Sequence, residues 1–318
     1  MQVIRSLEEI KQPFQRAVLT VGNFDGVHLG HQALFHTVTE KAEAIGGTSV
    51  AMTFQPHPMK VIRPGYHPPL ITLLEQKIEL IERADLEVLV IVPFTRTFAS
   101  LSPRQFVEDV LIRKVGMAAM VVGSDYTFGK YRAGNVRQLR NFSELFDFDL
   151  IVADWIQIVK ENSKRISSTK IRELVTAGRV DKAPDLLGRY YQIRGRVTTG
   201  RDRGGKLLGF PTANINLQDE LCPGSGIYAV TVERNHRIYD GVANIGYSPT
   251  FDDNLFTIEV HILDFDETIY GEKIRINFIQ RIRDEKKFAG VTELSDQIRK
   301  DVEAARRILA RTVHRVKP

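Results

Sequence analysis

The segment Ala17-Val18-Leu19-Thr20-Val21-Gly22-Asn23-Phe24-Asp25-Gly26-Val27-His28-Leu29-Gly30-His31 decides the fold. Its first five residues are apolar or β-branched and read as a buried strand. Gly22 stops the strand, Asn23 to Gly26 form a turn, and Leu34, Phe35, Val38 and Ala42 then recur at helical spacing. Glycines in such a turn let backbone amides approach a ligand, and a helix start adds free N–H groups and the positive end of a dipole. His28 and His31 stand three residues apart at that helix start. A strand, a glycine turn and two imidazoles at a helix N-terminus together predict a phosphate site. The plainer alternatives are a surface histidine pair and an incomplete metal site.

Working outward, strand-like and helix-like segments alternate to about residue 185. Thr48–Phe54, Val88–Val92, Met120–Gly123 and Leu150–Val152 read as strands. Thr72-Leu73-Leu74-Glu75 and Ser102-Pro103-Arg104-Gln105 read as capping boxes that open helices. Such alternation predicts an α/β unit whose parallel sheet is covered on both faces, with ligands at the carboxyl ends of its strands. From about Tyr190 the rhythm changes. Tyr191–Val197, Ile227–Val232, Ile238–Ile245, Thr257–Phe265 and Lys273–Arg281 are short strands separated by turns, and Val291–Ala310 is an amphipathic helix. That pattern predicts an antiparallel sheet or small β-barrel with a closing helix. The predicted domains are residues 1–186 and 187–318.

The chain has 318 residues, enough for two cores, and a formal net charge of +5. Its basic residues are spread out rather than blocked, which points to phosphate-bearing small molecules and away from a nucleic-acid partner. One cysteine, Cys222, cannot form an internal disulfide. An acidic N-terminus and the lack of a long apolar run give the expectation of a cytoplasmic protein with no membrane partner.

Other stretches carry candidate chemistry. Arg165-Ile166-Ser167-Ser168-Thr169-Lys170-Ile171-Arg172 places hydroxyls among cations at a helix start, an anion-binding pattern whose bland reading is N-capping by Ser168 or Thr169. Phe54-Gln55-Pro56-His57-Pro58 and Gly123-Ser124-Asp125-Tyr126 follow strands, so both belong to the ligand edge of the sheet. Gly200-Arg201-Asp202-Arg203-Gly204-Gly205-Lys206-Leu207 nearly matches a P-loop but lacks its final Ser or Thr, so a P-loop NTPase is rejected. Its glycines and cations still suit phosphates. Thr212 and Asn214 point the same way in an extended segment, and their oxygens suit Mg²⁺, the plainer alternative being a turn in which both satisfy backbone groups. Glu259 interrupts a strongly β-forming run, as a general base or as part of a polar outer face shared with His261.

Taken with Gly241-Val242-Ala243-Asn244-Ile245-Gly246, Pro249-Thr250-Phe251 and Ile282-Arg283-Asp284-Glu285-Lys286-Lys287-Phe288, these motifs give a chain that resembles the bacterial bifunctional riboflavin kinase/FAD synthetase family over its whole length. The resemblance implies a Rossmann-like nucleotidyltransferase domain followed by a riboflavin-kinase β-barrel. It implies riboflavin, FMN and ATP as substrates, Mg²⁺ as cofactor, and FMN and FAD as products. His28, His31 and Glu259 would be catalytic. Gly22, Phe24, Asp25, Gly26, Arg165, Ser167, Ser168, Thr169, Arg172, Gly205 and Lys206 would hold nucleotide. Phe54, His57, Pro58, Asp125 and Asn244 would hold flavin, and Thr212 and Asn214 the metal. Asp125, Asn135 and Lys206 depart from residues common in the family. A monomer or weak homo-oligomer is expected. The alternatives are an FMN adenylyltransferase alone and a flavin-sensing regulatory protein. The aminoacyl-tRNA synthetases share the His-Leu-Gly-His signature, but a Lys-Met-Ser-Lys-Ser loop is missing.

Overall fold

The structure is a computed structural model that describes residues 1–153, 166–198, 210–217, 219–247 and 256–312. The chain divides into two compact units, Met1–Ser168 and Thr169–Pro318. On this division the helical segment between Thr169 and Leu187 goes with the second unit.

The first unit is built on six parallel strands, β1 (Gln2–Ile4), β2 (Ala17–Val21), β3 (Ser49–Gln55), β4 (Val88–Pro93), β5 (Met117–Gly123) and β8 (Asp149–Ala153). Their order is β1-β4-β3-β2-β5-β8. The chain thus winds outward from β2 through β3 and β4, then crosses back to β5 on the other side. The crevice where that direction reverses, between β2 and β5, is where a doubly wound sheet binds ligands. Every residue of β2 is buried, as expected for a central parallel strand covered on both faces. Helix α1 (Leu29–Ile45) buries Phe35, Val38 and Ala42 and ends at Gly46, whose left-handed conformation (φ +61°) closes the last turn.

The two capping boxes have different outcomes. Ser102 and Gln105 exchange hydrogen bonds as expected, and the helix they open continues as a π-helical run, Phe106–Val115. Thr72 does not cap. Helix α3 spans Leu74–Glu82, its N-cap is Leu73, and no side chain caps it. The Thr72 hydroxyl oxygen instead accepts from the Gly26 amide at 3.0 Å. β1 and the small hairpin β6 (Thr127–Phe128) and β7 (Gly134–Asn135) are additions to the expected strands.

The second unit is a closed barrel, order β10-β13-β12-β11-β14-β9, of β9 (Tyr191–Thr198), β10 (Ala213–Ile215), β11 (Gly226–Arg234), β12 (Arg237–Tyr247), β13 (Phe256–Ile262) and β14 (Lys273–Arg283). All its pairings are antiparallel. Tyr228, Val230, Ala243, Val260, Ile276 and Phe278 fill one face of these strands and are fully buried. The other face is apolar along one stripe, Ile227, Ala229, Val242 and Ile279, which packs against Ala305 and Leu309 of the helix Val291–Thr312. A bidentate ion pair pins that helix: Arg283 donates to both Asp301 oxygens at 2.9 and 2.7 Å. Two expectations shift in detail. The three-residue strand β10 is too short for a periodicity to reveal it, and β13 stops at Ile262 because Asp264 turns the chain in a left-handed conformation (φ +53°).

Candidate functional sites

The first site forms at the β2–β5 switch point. A cavity of about 580 Å³ opens there, lined by Thr20 to Asp25 of β2 and its loop and by His28, Gly30, His31, Ala33, Leu34 and Thr37 at the start of α1. Val122, Gly123, Asp125, Tyr126, Ile151, Ala153 and Ile166 to Ser168 complete it. Of the expected nucleotide-holding residues, Gly22, Phe24, Asp25, Ser167 and Ser168 reach its wall. Asp125 is also there, but Phe54, His57 and Pro58 are outside the lining. Phe54 packs instead with Phe94 and Phe98 at centroid distances of 5.4 and 5.8 Å, and His57 caps the short helix Pro58–Ile62 by accepting from the Met59 amide. Thr169 and Arg172 fall in the second compact unit. Arg165 lies outside the described residues.

The loop is more constrained than its glycines suggest. Gly22 is needed because a Cβ there would lie 2.7 Å from the buried Phe24 ring. Gly26 is needed for its backbone (φ +88°) and because Ile71 lies 3.1 Å from where its Cβ would stand. Val27 adopts φ +39°, a costly conformation for a β-branched residue. It persists because Val27 is fully buried and its carbonyl accepts from the Gln32 side-chain Nε2 at 2.9 Å. The buried Asp25 carboxylate turns away from solvent and accepts from the Ile71 and Thr72 amides at 3.0 and 3.1 Å. Ser168 Oγ donates to the Asp25 carbonyl at 2.8 Å, so the Ser-Ser-Thr element is tied to the histidine loop.

His28 is the N-cap of α1 rather than a residue of its first turn. Its Nδ1 accepts from the His31 amide at 3.3 Å, which leaves the proton of the neutral ring on Nε2. The two imidazoles stack with centroids 3.6 Å apart and planes 14° apart. Phe24 holds His31 edge-on at 5.3 Å. The result is a stacked imidazole pair fixed at the helix N-terminus. It can stabilise charge growing on a phosphoryl group, and it supplies no nucleophile.

The second site lies on the outer wall of the barrel. Asn214 on β10 and Asn244 on β12 both stand in register with Glu259 on the strand between them, so the three side chains share one face. Burial pushes the Glu259 carboxyl above its ordinary value. Asn244 Oδ1 is buried with no hydrogen-bond partner among the described residues. His261, two residues on, lies on the same face. Its Nδ1 lies 2.8 Å from the Pro211 carbonyl and must donate to it, and its ring meets Phe210 edge-on at 5.4 Å. These contacts dock the segment leading to Thr212 and Asn214 against β13. Gly246 has its own reason: a Cβ there would collide with the Glu285 carboxylate, which burial also raises. Gly205, Lys206 and Pro249-Thr250-Phe251 lie outside the described residues.

Sequence reading did not anticipate Val27, Thr72 or Lys77. Lys77 was the findable one. It sits on the apolar stripe of α3, between Leu74 and Ile78–Ile81, where a lysine breaks the pattern.

Comparison with known proteins covers both units. A family model described as FAD synthetase matches residues 10–170, and one described as riboflavin kinase matches residues 187–309. The bifunctional riboflavin kinase/FMN adenylyltransferase of Bacillus subtilis is 42% identical, over 93% of this chain and 93% of its own. Those of Haemophilus influenzae and Escherichia coli K12 are 38% and 34% identical, with at least 96% of each chain covered. A crystal structure from Streptococcus pneumoniae superposes with a TM-score of 0.85 at 34% identity, covering 96% of this chain and 99% of that one. Its title names a macrolide-efflux protein, but no helix among the described residues here is long and apolar enough to cross a membrane.

Proposed function

The chain belongs to the bifunctional riboflavin kinase/FMN adenylyltransferase family, and from that premise we propose how its two sites divide the making of FAD. The protein phosphorylates riboflavin to FMN and adenylylates FMN to FAD, with ATP as co-substrate of both steps. The division is drawn between residues 1–186 for adenylyl transfer and 187–318 for the kinase.

In the kinase step Glu259 takes the proton of the ribityl 5′-hydroxyl as that oxygen attacks the γ-phosphorus and ADP leaves. Its burial raises its proton affinity, which suits a base. Thr212 and Asn214 supply hard oxygen donors beside Glu259, a set that fits Mg²⁺ retaining several waters. Mg²⁺, when bound, offsets charge on the phosphate oxygens. Asn244, with its unpartnered buried oxygen, offers an acceptor for a flavin donor.

In the adenylyl step an FMN phosphate oxygen attacks the α-phosphorus and pyrophosphate leaves. His28 and His31 donate from the stacked pair to the developing charge, and the start of α1 adds its amides. Gly22, Phe24, Asp25 and Gly26 shape the loop around the nucleotide. Ser167, Ser168, Thr169, Arg165 and Arg172 hold the triphosphate, Gly205 and Lys206 serve the kinase nucleotide, and Asp125 with Phe54, His57 and Pro58 faces the flavin. The same reading makes this a cytoplasmic enzyme that works without nucleic acid, as a monomer or weak homo-oligomer.

One observation carries the reading: the stacked histidines and the Asn214–Glu259–Asn244 row are two distinct sets of phosphate chemistry, each within its own compact unit. Incubation with riboflavin, ATP and Mg²⁺, followed by chromatography, is expected to show FMN and then FAD. Neither product appearing would overturn it.

A further inference from the structure

The cavity between β2 and β5 has an electrostatic difficulty. Among the described residues, its wall carries two carboxylates, Asp25 and Asp125, and no lysine or arginine. The Asp25 carboxylate is buried and accepts from the backbone N–H groups of Ile71 and Thr72. A fixed negative charge in the wall of a polyphosphate site raises the free energy of every nucleotide that enters. A buried cation stands behind the loop. Lys77, only 5% exposed, extends from α3 and its Nζ donates to the Asn23 carbonyl at 2.7 Å. That carbonyl also accepts from the buried Thr53 hydroxyl at 3.2 Å.

We propose that Lys77 is a positioning residue for adenylyl transfer: a buried cation that fixes the Asn23 carbonyl and offsets the Asp25 carboxylate in the wall of the nucleotide cavity. Burial pulls the Lys77 ammonium below its ordinary pKa, and the Asp25 charge opposes that shift. Lys77 does not line the cavity, so it reaches the nucleotide only through the loop it holds and the charge it balances.

The inference rests on the reading of this cavity as the adenylylation site, and the full bifunctional chain separates the two claims. Lys77→Met and Lys77→Gln are assayed for FAD formation from FMN and for FMN formation from riboflavin, each across ATP concentrations. Both variants are expected to raise the KM for ATP in FAD formation about tenfold or more and to leave it within about twofold in FMN formation. Adding Asp25→Asn to Lys77→Met is expected to bring the raised KM back down. Misfolding of part of the sample lowers kcat and leaves KM alone, so an unchanged KM for ATP overturns the proposal, as does failure of Asp25→Asn to lower a raised one. Lys77→Gln keeps a polar donor in the core and supplies the reading if Lys77→Met does not fold. His28→Ala is the companion. If it loses FAD formation while the Lys77 variants keep a normal KM, this inference alone fails; if it keeps FAD formation, the reading of the cavity fails.

Discussion

At the scale of single residues, the two sites differ in what they ask of a side chain. His28 is fixed three ways, by the helix it caps, by the His31 amide on its Nδ1 and by the stacked His31 ring. On the proposed mechanism it presents one N–H to a growing charge, and loss of one such donor costs about 10²–10³ in rate. His28→Ala is therefore expected to lower FAD formation by about that factor while FMN accumulates at the normal rate, as read by chromatography of the products. Glu259 works by its environment. Burial raises its pKa, so the protonated form stabilises the fold. That contribution is present at low pH and fades as pH rises through the raised pKa, so at neutral pH the ionised carboxylate is a stability cost. Glu259→Gln is expected to lower the kinase rate by about 10²–10⁴-fold yet raise the unfolding temperature at neutral pH. For the same reason the acid limb of the wild-type kinase pH profile is expected above the ordinary carboxylate range.

Elements were legible in the sequence to the extent that burial wrote a period into them. β2, β4 and α1 are solidly apolar or evenly spaced, and they stand where the pattern puts them. The capping-box pattern at Thr72 records which residues could bond, whereas tertiary contact decides which do, and the Thr72 hydroxyl oxygen accepts from the Gly26 amide instead. β10 was not seen because three residues hold no measurable alternation. The sites follow the same logic. His28, His31 and Glu259 announce themselves as polar groups in apolar surroundings, whereas the Phe54–Pro58 loop carries only a chemical signal, and Phe54 packs in an aromatic cluster outside the lining of the cavity. The closing helix Val291–Thr312 offers a test of element-scale energetics. Asp301 is 3% exposed and bears the bidentate Arg283 pair. Removing one partner of such a pair leaves a largely buried charge uncompensated. Asp301→Ala is expected to cost about 3 kcal/mol in the barrel unit, seen as an earlier thermal transition, with FAD formation from supplied FMN retained.

For the whole molecule, two folds of different origin in physics are joined in one chain. A doubly wound sheet gathers its ligand at a switch point, and a closed barrel carries its chemistry in a row across neighbouring strands. On the proposed mechanism each provides what its own phosphorus atom requires: N–H donors for the α-phosphorus, a base and hard oxygens for the γ-phosphorus. FMN is a finished product of one site and a substrate of the other, so the sites need not belong to the same molecule. An equal mixture of His28→Ala and Glu259→Gln chains is expected to make FAD from riboflavin, although neither variant alone does so at an appreciable rate.

The most direct measurement follows label from ATP into product in the two single variants, with radioactive phosphorus in either the α- or the γ-position. With riboflavin, His28→Ala is expected to place γ-label in FMN and no α-label in FAD; Glu259→Gln is expected to place α-label in FAD from supplied FMN and no γ-label in flavin from supplied riboflavin. A single substitution that stopped both transfers in a folded chain would contradict the assignment of one phosphorus atom to each unit.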